Sequence, residues 1–179
     1  MADLSPFEQL VSYEERGRRH VVNFATEEDR RDYWRAVSFR VGKVQLLVDE
    51  RNVYGLLTLP EITIVPGTRK WMMGVANVRG ELLPIVNFGD FLFNIATERS
   101  KHSLILVVQF QEVRSGLIID QAYGVRRFPV DARTDIQMTD MLEPLKSVLS
   151  GSFEKEGTVF HAMEVEKLIN ETGFMQAAA

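Results

Sequence analysis

From Trp34 onward the chain alternates. Val37, Phe39 and Val41 are separated by Ser38 and Arg40, and Val44, Leu46 and Val48 resume the pattern after Gly42-Lys43. A period of two belongs to a strand with two unlike faces. Two such runs around a two-residue Gly-x loop predict a β-hairpin, with Gly42 supplying the positive φ of a type II′ turn. Val53–Leu59 reads as a further short strand, and Pro60 and Pro66-Gly67 then break the pattern. Met72–Val78 and Glu81–Phe88 flank Arg79-Gly80 and predict a second hairpin. Pro84 lies inside the second of these runs. It has no N–H to give a ladder, so that strand is expected at a sheet edge or bulged at this point. Ser103–Phe110 pairs with Val113–Ile119, Val125–Val130 is shorter, and Thr158–Met163 is the last strand. Residues 131–147 are polar and carry little β signal.

Two segments have the helical period. Ser5-Pro6-Phe7-Glu8 forms a capping box with proline at the first helical position, and Phe7, Leu10 and Val11 then share one face. This predicts a helix over 5–24, although Glu14–His20 is polar and leaves only a narrow apolar stripe. Residues 25–33 are charged and read as a linker. Near the other end Val165, Leu168 and Ile169 recur at helical spacing, and Gly173 is placed to stop that helix. The expected organisation is an N-terminal helical extension and linker (1–33), one domain (34–172) and a disordered tail (173–179). Many short strands, tight turns and two flanking helices predict a mainly β fold of barrel type, since closure removes exposed strand edges.

Composition changes this picture little. The 179 residues carry a net charge of −4 and are 45% hydrophobic, an ordinary globular balance for one domain or two small fused ones. There is no cysteine, which excludes disulfides, thiolate metal sites and a cysteine nucleophile. The N-terminus lacks the basic and apolar regions of a secretory signal, and the longest apolar runs, such as Leu104–Val108, are too short to span a bilayer. A cytoplasmic location is expected.

No catalytic constellation is legible. His20, His102 and His161 have no second ligand-type residue at the spacing of a metal motif. The chain contains no G-x-S-x-G elbow and no G-x-G-x-x-G loop, and Pro66-Gly67-Thr-Arg-Lys70 lacks the parts of a phosphate loop. No enzyme activity, cofactor or metal is expected. Arg16, Arg18, Arg19, Arg30, Arg31 and Arg35 lie near Tyr33 and Trp34, so a small β-barrel that binds nucleic acid is the alternative reading. Interleaved acids, among them Glu14, Glu15, Glu27 and Glu28, largely neutralise that cluster.

One segment stands out. Trp71–Phe88 is apolar except for Asn77, Arg79, Glu81 and Asn87, which gather about the Arg79-Gly80 turn. An arginine on a hairpin turn between two buried strands is placed to meet a partner carboxylate. Equally, it could cap its own loop or pair with Glu81. The residues alone leave both readings open.

The run Gly74-Val-Ala-Asn-Val-Arg-Gly-x-x-Leu-Pro-Ile-Val-Asn-Phe88 resembles the central signature of CheW-like domains. The likeness extends from about Trp34 to Leu168, through Phe39-x-x-Gly42, Gly116-Leu-Ile-Ile-Asp120-x-x-x-x-Val125, and Gly151 followed by Val159–Leu168. It implies two small, intertwined, five-stranded SH3-like β-barrels and a non-catalytic adaptor. The implied partners are the regulatory domain of a CheA-type histidine kinase and the cytoplasmic tip of a methyl-accepting chemoreceptor, with recruitment to receptor arrays at the membrane. Carried over singly, the resemblance marks Val53, Gly74, Asn77, Arg79, Gly80, Gly116 and Val125 as partner-binding positions. Two residues depart from the pattern: Gly55 stands where the family often has glutamate, and Asn87 where it usually has aspartate. The N-terminal Pro6-Phe-x-x-Leu…Arg19 stretch resembles the extension of CheW-like adaptors of type IV pilus (twitching-motility) chemosensory systems, which implies a PilJ-like receptor.

Overall fold

The computed structural model describes residues 32–94, 103–171 and 174. The helix expected over 5–24, nearly all of the linker, the Gly173 stop and, apart from Phe174, the tail lie outside the described residues. Phe174 itself is buried against Trp71, with ring centroids 6.1 Å apart, where the sequence predicts a disordered tail. The first described elements are the hairpin β1 (Tyr33–Val41) and β2 (Val44–Asp49), followed by β3 (Val53–Thr58) and the two-residue β4 (Ile62–Thr63). The second hairpin is β5 (Met72–Val78) and β6 (Glu81–Asn87), and it leads directly into helix α1 (Phe88–Phe93). Then come β7 (Leu104–Phe110), β8 (Val113–Ile119), β9 (Gln121–Pro129), β10 (Leu149–Lys155), β11 (Thr158–Met163) and helix α2 (Val165–Asn170). Gly42 has φ +59°, as the first hairpin requires. In the second hairpin both central residues are left-handed, Arg79 at φ +55° and Gly80 at +88°, so that turn is type I′.

The strands form two sheets. One has five strands in the order β10-β11-β2-β1-β9, and the other has six, in the order β3-β7-β8-β6-β5-β4. The six-stranded sheet exceeds the expected five by the short β4, which pairs with β5 through Ile62–Ala76 and Thr63–Val75. Residues before β3 and after β8 build the five-stranded sheet, and those between build the other. The two sheets are intertwined through these crossings.

Side-chain alternation explains why both faces of many strands are apolar. On β7, Leu106 and Val108 enter a large cluster shared by the two sheets, whereas Ile105 and Val107 enter a separate cluster with Met73, Ala76, Leu83, Ile85 and Ile118. On β1 and β2, Val37, Phe39, Val41, Val44, Leu46 and Val48 face the shared cluster, while Ala36 and Leu47 turn the other way to Phe128, Phe153 and Phe160. Each sheet thus encloses its own core, and a third core fills the seam. Leu142, Leu145, Val165, Leu168 and Ile169 cap that seam. The strand period of two sorts these side chains between cores.

Further features differ from the sequence expectation. β9, expected as a short strand over Val125–Val130, runs for nine residues, Gln121–Pro129. β6 is interior rather than an edge: it lies between β8 and β5. Pro84 is tolerated because the parallel ladder to β8 starts at Ile85, and β5 carries a register shift between Met72 and Gly74 close by. β10 is an additional strand. Ser150, Gly151 and Ser152 dilute its alternation, yet Leu149, Gly151, Ser152 and Phe153 are buried. α1 is an additional helix, and Asn87 is its N-cap: the side-chain Oδ1 accepts from the Asp90 backbone N–H at 3.1 Å. Asparagine and aspartate cap helices about equally well, so the departure at this position is structurally neutral.

Candidate functional site

The β5–β6 hairpin is held by its own turn. Asn77 Oδ1 accepts from the Gly80 backbone N–H at 2.9 Å, which fixes the loop and leaves Arg79 projecting from it, exposed. A left-handed arginine at a turn position that suits asparagine or glycine is a strained choice. Among the described residues no carboxylate pairs with Arg79. The nearby acid, Glu81, is engaged elsewhere: it forms a close ion pair with Arg114 of β8. Arg114 also donates from Nε to Gln109 Oε1 at 2.8 Å, and its guanidinium lies 4.1 Å above the Tyr54 ring. The pairing of Arg79 with Glu81 that the sequence left open is therefore not the one formed.

Beside the hairpin a groove of about 260 Å³ opens between it and β3. It is lined along β3 by Tyr54, Gly55, Leu56 and Leu57, and it reaches inward to Leu83 and Val107 of the six-stranded sheet's own core. Its rim is apolar and unusually exposed: Tyr54 is 53% accessible, Leu56 47% and Leu82 73%. An exposed cluster of this kind marks an interaction surface more often than an isolated apolar side chain does. Among the described residues, no atom beyond its two chain neighbours lies within 4 Å of where a Cβ at Gly55 would sit, so the groove floor is open there.

The seven positions singled out in the sequence fall in four settings. Asn77, Arg79 and Gly80 form the exposed hairpin tip. Val53 is half-buried at the start of β3, against the seam. Gly74 and Gly116 are buried: a Cβ on Gly74 would lie 2.2 Å from the Thr63 carbonyl oxygen, and one on Gly116 would lie 2.7 Å from Ile85 Cδ1 and 2.8 Å from Ile105 Cγ2. Val125 is on β9, in the other sheet, and is 48% exposed. The structure thus gathers Asn77, Arg79 and Gly80, and adds Tyr54, Leu56, Leu82 and Arg114, which sequence reasoning did not single out. Tyr54 and Leu56 are two apart on a strand and so share a face, a signal that was present. The Glu81–Arg114 pair spans 33 positions and had none.

Elsewhere the polar groups serve local structure. Asp49 is held down at about 2, chiefly by hydrogen bonding to the Arg51 side chain and also by the Trp34 indole N–H at 2.9 Å, against the opposing effect of partial burial. Burial lowers the pKa of His161, whose Nδ1 lies 2.9 Å from Ser152 Oγ. Among the described residues no three His, Asp or Glu side chains gather in a way that would hold a metal ion.

A family model described as CheW-like domain matches residues 35–173. Protein PilI of Pseudomonas aeruginosa is 33% identical over 157 residues, 87% of this chain and 88% of that protein. Chemotaxis protein CheW of Thermotoga maritima is 26% identical over 135 residues, 75% of this chain and 87% of that protein. Protein FrzA of Myxococcus xanthus is 33% identical over 92 residues, 51% of this chain and 58% of that protein. The crystal structure of the scaffolding protein TtCheW from Thermoanaerobacter tengcongensis superposes with a TM-score of 0.67 at 20% identity, covering 79% of this chain and 96% of that one, a likeness of fold. With two sheets enclosing separate cores around a shared seam, and with the family match spanning nearly the whole described region, the chain belongs to the CheW-like domain family.

Proposed function

We propose that this protein is a non-catalytic signalling adaptor that couples a methyl-accepting chemoreceptor to a CheA-type histidine kinase, in the type IV pilus twitching-motility pathway. The relationship to PilI across 87% of the chain supports the pathway, and membership of the CheW-like family supports the adaptor role. The observation that carries the reading is Arg79: a strained, exposed arginine without a carboxylate partner among the described residues, beside an open apolar groove. A fold stores such strain where the side chain is used. The partners in this reading are the kinase's regulatory domain and the cytoplasmic tip of a PilJ-like receptor. Val53, Asn77, Arg79, Gly80 and Val125 contact or shape those surfaces, and Gly74 and Gly116 support them from within. Residues 1–33 are a helical extension, 34–172 the adaptor domain and 173–179 a tail. The protein works in the cytoplasm, recruited to receptor arrays, where linkage of modest contacts gives avidity.

The test is titration of the purified protein with the regulatory domain of the cognate kinase and, separately, with the receptor tip. Arg79→Ala is expected to weaken at least one of these by about 1–3 kcal/mol, the scale of a charge-assisted contact at an interface, without lowering the melting temperature. Binding of neither partner by folded wild-type protein refutes the adaptor reading.

A further inference from the structure

Resting on the adaptor reading, the six-stranded sheet narrows how a partner engages the groove. We infer that the groove receives an extended segment of the kinase's regulatory domain, which adds a strand along the free edge of β3, seats one large apolar side chain over Gly55 and brings a carboxylate to Arg79.

β3 ends the six-stranded sheet, and among the described strands it hydrogen-bonds only to β7. Its other edge faces the groove, whose wall includes four consecutive β3 residues, Tyr54 to Leu57. From Gly55 onward the pairing with β7 is regular and consecutive residues point to opposite faces, so a cavity touching Gly55, Leu56 and Leu57 runs along the strand's edge rather than one face. Strand edges that must stay unpaired are normally protected by lysine, proline or a bulge turned outward. β3 has a register shift against β7 at its start, between Val53 and Gly55, but from Gly55 to Thr58 the pairing is regular and the edge has neither a charge nor a proline; Tyr54 and Leu56 are exposed along it. An extended segment brings unpaired backbone groups to such an edge, whereas a helical partner has its own already paired.

The floor of the groove adds a seat for a side chain. Gly55 is not required by its backbone conformation, and its Cβ position is open. The gap it leaves leads to Leu83 and Val107, which belong to the core cluster. An apolar side chain entering there would extend the core, as interface anchors do.

Charge completes the match. Two arginines line the groove, Arg79 and Arg114. Glu81 neutralises Arg114, so among the described residues the rim keeps one uncompensated positive charge, at Arg79. One carboxylate on the incoming segment complements it.

Amide hydrogen exchange of the full-length protein, alone and saturated with the kinase regulatory domain, tests the mode directly. The β3 amides not bonded to β7 are expected to slow at least tenfold on binding. Gly55→Leu, which fills the floor, and Leu82→Asp, which places a like charge opposite the incoming carboxylate, are each expected to weaken kinase binding at least tenfold with unchanged melting. Wild-type binding with unaltered β3 exchange overturns the inference and leaves the adaptor reading standing. So does full affinity in both variants, or a loss confined to the receptor tip. Protection of β3 in the free protein at raised concentration would give the edge to a second copy and equally overturn it. If the wild type binds neither partner, the adaptor reading fails and this inference fails with it.

Discussion

Replacing Gly74 with alanine separates two roles that look identical in a binding assay. Gly74 sits on β5 at φ +131°, beside the register shift with β6. An added methyl would lie 2.2 Å from the Thr63 carbonyl oxygen and 2.9 Å from Ile62 Cγ2. No rotamer relieves this, since the clash is with backbone. Either β5 loses its bulge or β4 lifts away, and β4 is held to β5 by only two residue pairs. Lifting β4 uncovers Ala76 and strips Ile62 from the core cluster around Met73. A residue other than glycine in this backbone region costs about 1–3 kcal/mol, and the overlap adds a comparable amount, partly relaxed by movement of the edge strand. We expect Gly74→Ala to destabilise by about 2–4 kcal/mol, which lowers the melting temperature by roughly 5–15 °C in a chain of this length. Urea denaturation followed by circular dichroism measures it. Weaker partner binding would then follow from a damaged fold. A Gly74→Ala protein that melts within about 2 °C of wild type would refute this packing argument, and lost binding on top of that would place Gly74 in the interface itself.

Two other outcomes follow from the same geometry. Arg79→Gly should raise stability by about 0.5–1 kcal/mol, because it removes a left-handed arginine at some cost in unfolded-state entropy, while partner binding falls; thermal melts and calorimetry on one sample read both. Asp49 is held at about 2 against an ordinary 3.8, so its contribution is fully present above about pH 4 and is lost as pH falls through 4 toward 2. With solvent screening at the exposed Arg51, that contribution is no more than about 1 kcal/mol, and Asp49→Asn should flatten the stability curve in this window alone, with Trp34 fluorescence as the reporter.

How much of the molecule is legible in its sequence varies with the range of the interaction. The β1–β2 and β5–β6 hairpins follow from alternation and from Gly42 and Gly80, because turn chemistry acts over four residues. β7 and β8 are legible as strands, but their doubly apolar character has its reason only in the fold: each strand separates two cores. β10 escapes a reading by pattern because several of its inward positions are filled by small residues, which carry no hydrophobic signal. α1 escapes it because six residues give too few turns for a period to register. At the site, Arg79 is visible as an arginine on a turn. Its want of a carboxylate is not visible, because that depends on Arg114 taking Glu81 from a strand far along the chain. Gly74 and Gly116 draw notice as motif glycines, and only the distances to Thr63 and Ile85 show that both are packing positions.

The interleaving of the two sheets has a consequence for synthesis. β3 to β8 are contiguous, so every ladder of the six-stranded sheet can form once β8 has left the ribosome. The five-stranded sheet cannot: β1 finds its outer neighbour in β9, and β2 finds its own in the parallel strand β11, made long afterwards. The β1–β2 hairpin, which emerges ahead of the other described strands, is thus flanked on both sides only after they have been made. Until then the newborn chain carries the outer edges of β1 and β2 uncovered, an opening for misassembly with a neighbouring chain during crowded translation. Arrival of β11 closes that window, so the latest strand works as a lock on the earliest.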